Sequence, residues 1–158
     1  IIIATPILFQ AKVAFEKHKS ASELESYSVV VNELIKSNPK EAVIQLQKLT
    51  TSNNDTIVLL ALNQLLEINK SSKQELVKTL DTLIDEKKLS KRNDELLKIK
   101  KSLLIFDAAT ENQMLDLLDT SNKDSSFRKT SLQILYDFHL SKNQKIKAEE
   151  VKRLINEN

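Results

Sequence analysis

A chain of 158 residues with 41% hydrophobic and 29% charged side chains can bury a sizeable core and has the balance of a folded domain, not of a disordered one. It holds no glycine, which excludes a P-loop, a dinucleotide-binding fingerprint and a nucleophile elbow, and no cysteine, which excludes disulfides, thiolate zinc sites and thiol nucleophiles. The net charge of +2 makes no case for general nucleic-acid binding, and two histidines, His18 and His139, are too few for a three-histidine metal site.

The chain opens on an apolar run, Ile1 to Phe9, in which Thr5 is the single polar side chain. The run is shorter than the roughly 20 residues that span a bilayer. Basic and polar residues follow at once, with Lys12, Lys17, His18 and Lys19. Residues 1–20 therefore read in two ways. They are the buried first half of a helix with Pro6 near its first turn, or they are the trailing end of a membrane anchor. Residues 21–158 read as one helical domain.

From Leu24 onward the periodicity is helical. Leu24, Tyr27, Val31, Leu34 and Ile35 form one stripe of a 3.6-residue helix. Asn38–Pro39 ends it, and Pro39 stands at the first position of the next helix, whose inner face is Ala42, Val43, Leu46 and Leu49. Thr51 to Asp55 is a polar link rich in cap formers. The segment 56–69 is apolar over more than half its circumference, which predicts neighbours on more than one side. Ser71 and Ser72 are candidate caps for a helix over 73–86, with Leu76, Val77, Leu80, Leu83 and Ile84 inward. A charged connection over 87–93 leads to a helix over 94–106 that shows Leu96, Leu97, Leu103, Leu104 and Phe106. Thr110 and Gln113 have capping-box spacing before a short helix with Met114, Leu117 and Leu118. After the polar stretch Ser121 to Ser126, helices over 127–141 and 144–156 complete the chain.

This predicts an all-α fold of about nine helices. Short links make sequence neighbours antiparallel hairpins. Pairing 56–69 with 73–86, 94–106 with 110–119 and 127–141 with 144–156 puts first-helix starts about 38 and 33 residues apart, near the roughly 34-residue tetratricopeptide period. Hairpins of this kind stack, because none buries its apolar face alone. The run Leu135, Tyr136, Leu140, Ser141, Lys142, Asn143, Gln144, Lys145 and Ala148 resembles a degenerate tetratricopeptide turn. Asn143 stands where glycine is usual, and Ala148 stands at the small-residue position. Tyr136, Lys152 and Ile155 depart from that pattern.

Over most of its length the chain resembles the YfgM-type family of bacterial inner-membrane proteins. The likeness rests on the apolar tail leading into a long helix, on Leu76 to Ile84, on Ser126-Phe127-Arg128, and on the turn Leu140 to Lys145. It implies one transmembrane helix at the N terminus, a periplasmic tetratricopeptide-like domain, and association with the Sec translocon and periplasmic chaperones.

The densest basic region, Lys87, Lys88, Lys91, Arg92, Lys98, Lys100 and Lys101, is interrupted by Asp94 and Glu95 and lacks aromatics for base stacking, so it reads as a solvated face. Asp81 with Asp85, and Asp116 with Asp119, each share a helix face, but no cleft is evident that would tune them for acid–base work. The two histidines read as surface or groove residues. No catalytic set, metal or cofactor is expected. The expected partner is another polypeptide, not a nucleic acid or a small molecule. It would lie in a concave groove lined by Asn63, Gln64, Glu67, Lys98, Lys101, Gln133, Tyr136 and Asp137. The alternative is a structural subunit of a larger assembly.

Overall fold

A computed structural model describes residues 4–68, 73–86 and 89–157. Ile1 to Ile3, the candidate caps Ser71 and Ser72, and Lys87 and Lys88 of the basic region lie outside the described residues, as do the side chains of the rest of the apolar run. Among the described residues there are nine α-helical segments and no strand. The chain divides into two compact units, Ile1–Ser72 and Lys73–Asn158.

The first unit begins with α1 (Ala4–Val29), which passes without a break into a π-helical turn, Val30–Leu34, and the short α2 (Ile35–Ser37). A π turn bonds i to i+5 and so inserts one residue into the helical count. The Ile35 amide donates to the Val30 carbonyl accordingly. Leu24, placed inward by its spacing, is 52% exposed, and Val30, outside the predicted stripe, is buried. Asn38 then breaks the helix with φ −146°, and its Oδ1 accepts from the Glu41 amide at 3.2 Å. Pro39 opens α3 (Pro39–Leu49), as its fixed φ and missing N–H favour. Ala42, Leu46 and Leu49 of α3 pack against Ile57, Val58, Ala61, Leu62 and Leu65 of α4 (Asp55–Ile68).

In the second unit α5 (Lys73–Glu86) packs on α6 (Lys91–Ile105), and α6 packs on the short α7 (Glu111–Leu117). The strongest pairing joins α8 (Arg128–Ser141) to α9 (Lys145–Asn156). The capping box at the start of α7 forms as its spacing requires: the Gln113 amide donates to Thr110 Oγ1 at 3.3 Å, and the Thr110 amide donates to Gln113 Oε1 at 2.9 Å. The core gathers Ile99, Met114, Leu118, Leu132, Leu135 and Phe138, with Phe106 edge-on to Phe138 at 5.7 Å.

One boundary is corrected. The helix placed at Asp94 begins at Lys91 after extended Ser90. Lys, Arg and Asn are all compatible with a helical first turn, so a charged stretch does not have to be a link. The pairing is as predicted for 94–106 with 110–119 and for 127–141 with 144–156, whose helices pack on each other. Within the first unit helix 55–68 packs on 39–49, and within the second 73–86 packs on 91–105, two contacts that the predicted pairs did not include.

Candidate functional site

The predicted groove residues divide between the units. In the first, Asn63 and Glu67 are exposed on the side of α4 away from its buried stripe, and Gln64 is half-buried at the edge of that stripe. In the second, Lys98 is paired with Asp94 at 2.8 Å along α6, and Lys101 is paired with Asp81 of α5. These two lysines are therefore engaged within the unit. On α8, Gln133 and Asp137 are exposed and joined, with Gln133 Nε2 donating to Asp137 Oδ1 at 3.1 Å. Tyr136 lies half-buried against the terminal core cluster, so much of its ring serves packing.

The remaining charged groups of note have structural partners. Arg92 stands over the Phe127 ring at 5.9 Å. Asp119 accepts from the Ser121 hydroxyl and from the Ser121 and Asn122 amides. These bonds, the Ser121 hydroxyl first, hold its carboxyl below the usual aspartate value. Among the described residues no cluster of three His, Asp or Glu side chains could hold a metal ion.

His139 corrects a prediction. It is 3% exposed and belongs to neither surface nor groove. Its Nδ1 lies 2.7 Å from Gln144 Oε1, while Gln144 Nε2 donates to Glu111 Oε2 at 3.4 Å and Lys147 Nζ donates to both Glu111 oxygens at 2.6 Å. With the Gln144 amide oriented by the carboxylate, its oxygen faces the ring, so Nδ1 is the donor. Three helices, α7, α8 and α9, meet at this polar junction.

Sequence reasoning missed an open groove in the first unit, of about 840 Å³, between α1 with its π turn and α3. Its lining starts at exposed His18 and Lys19 and ends at Val29, Val30 and Leu34. The link after α3 closes one end: Ser52 Oγ donates to Glu23 Oε2 at 2.5 Å, and Asn54 Nδ2 donates to Ser20 Oγ at 3.2 Å. The serine-rich face of α1 is the signal that could have pointed there, since serine is a poor choice for a face that only packs.

Comparison of the chain with protein-family models, curated proteins and solved structures finds no match.

Proposed function

We propose that the chain is a non-enzymatic protein–protein interaction scaffold, tethered to the bacterial inner membrane with its helical domain in the periplasm, and serving protein translocation or periplasmic chaperones. The observation that carries the binding part of this reading is the presentation of α8. Leu132, Leu135 and Phe138 are buried, while Gln133 and Asp137 stand exposed as a bonded pair beside the half-buried Tyr136. A rigid helix with an ordered polar strip and a partly exposed aromatic ring suits contact with another polypeptide. The tether rests on the apolar run Ile1 to Phe9 and on the YfgM-type resemblance; among the described residues no helix is long and apolar enough to cross a membrane. A cytoplasmic domain is the alternative placement.

One observation favours a second reading, a structural subunit of a larger assembly. Ile146, at the start of α9, is 80% exposed, and Leu140 just before the same turn is also exposed. Pull-down from native membranes separates the readings. With Tyr136→Ala and with Gln133→Ala/Asp137→Ala, each verified as folded, partner recovery is expected to fall. Unchanged recovery in both would favour the assembly subunit.

A further inference from the structure

We infer that α8 is the contact face of a two-fold dimer, and that the polypeptide it meets is a second copy of this chain, laid antiparallel across it. This rests on the scaffold reading and deepens it by naming the occupant of that surface. The buried residues of α8, from Arg128 to His139, define its inner face, and the row Lys129, Gln133 and Asp137 runs along the opposite side. These three are exposed and stand at i, i+4 and i+8, one inclined row of a helix surface. Their order is basic, neutral, acidic, with Gln133 at the midpoint.

Lys129 and Asp137 enter no ion pair among the described residues. Neither has a counter-charge within reach on its own helix. Three and four residues from Lys129 stand Ser125, Ser126, Leu132 and Gln133, and from Asp137 stand Gln133, Ile134, Leu140 and Ser141. Within the row, Gln133 Nε2 donates to Asp137 Oδ1 at 3.1 Å. A two-fold axis at Gln133 reverses the row, so Lys129 of each copy meets Asp137 of the other and Gln133 meets itself. The lysine then comes to the Asp137 oxygen that Gln133 does not use. Each Gln133 keeps one N–H and its carbonyl oxygen, which two facing amides can exchange. Leu140, 44% exposed just beyond Asp137, gives each end of the contact an apolar residue. The same operation rejects α9. Centred between its exposed Ile146 and Leu154, it sets Glu150 against itself and Lys147 against Arg153, and like charges so placed oppose association. The charged pairs of α8 span about 12 Å of helix. A strip of this length buries less than the roughly 1,200 Å² of stable interfaces, so the dimer is weak, concentration-dependent and sensitive to salt.

Sedimentation equilibrium of the whole protein over a concentration series is the test. The protein is expected to dimerise reversibly, with a Kd that rises with salt. Lys129→Asp and Asp137→Lys, each verified as folded, should each raise the Kd at least about tenfold, because the two-fold makes one substitution reverse two pairs. An equimolar mixture of the two variants should dimerise again, since each supplies the charge that the other lacks. A monomer up to about 1 mM, a dimer whose Kd moves with neither variant, or a mixture that stays monomeric would overturn the inference. If the protein is monomeric and Gln133→Ala/Asp137→Ala still loses a different polypeptide in the membrane pull-down, the dimer falls and the scaffold reading stands. If the charge-reversed pair behaves as expected and that pull-down recovers the same partners from every variant, the dimer stands and the scaffold reading falls.

Discussion

Asn143 has φ 58°, the left-handed conformation that glycine usually supplies, and in a chain without glycine asparagine is the next best residue there. The Gln144 amide donates to the His139 carbonyl at 2.8 Å and the Asn143 amide to the Leu140 carbonyl at 3.0 Å, the paired bonds of a Schellman turn. That turn was legible from the spacing of Asn143 and Ala148. The junction beside it was not, because Glu111 and Lys147 lie far apart in sequence and nothing marks either as a partner. The bond from Lys147 is the chief reason the Glu111 carboxyl is held below the usual glutamate value; partial burial opposes it, and the Lys147 and His139 charges and the Gln144 bond add to the lowering. Because the folded value is depressed, the ionised carboxyl stabilises the fold at pH above its ordinary value, and that contribution is lost as pH falls through the lowered one. Glu111→Gln should therefore lower the urea midpoint near neutral pH, and the difference from the parent protein should vanish in acid. A midpoint difference independent of pH would show that the carboxylate charge does not matter.

Among the helices, periodicity located the elements well and their surroundings less well. Leu97 and Ile99 are both buried on α6 although they point about 200° apart, because α5 and α7 cover different sides of that helix within the unit. Leu103, one of the apolar residues that mark this helix, is 55% exposed, while Ser102 is buried with its Oγ donating to the Ile99 carbonyl at 2.8 Å. The π turn had no sequence signal, since Val30 to Leu34 would sit equally well in an α-helix. The small-residue position of the last hairpin was legible: Ala148 is fully buried where α9 meets α8. Ala148→Leu should overpack that contact and cost about 1–3 kcal/mol of stability, read as a lower midpoint of urea denaturation. An unchanged midpoint would mean that the α8–α9 contact is loose enough to accept a leucine, contrary to a close approach at this position.

For the protein as a whole, composition settled the fold class and left the partner open. A chain without glycine or cysteine, with helical periodicity from Leu24 to Ile155, has little choice but to pair helices, and it does. Partner identity lies in surface side chains, whose selection leaves no period to read. Compartment is the property on which most of the proposed role turns, because association with translocation or with periplasmic chaperones requires the helical domain to face the periplasm. The chain contains no cysteine, so a single introduced one reports without background. Lys123 is suited to the substitution: it is exposed and lies in the polar connection between α7 and α8. Lys123→Cys should react with a membrane-impermeant thiol reagent in intact spheroplasts, with no further gain after lysis. Protection in intact spheroplasts, followed by reaction on lysis, would place the domain in the cytosol. That result would remove the translocation and chaperone roles, yet the surface of α8 would still be free to bind a cytosolic polypeptide, because its presentation depends on the packing of α8 against α9 and the terminal core and not on the compartment.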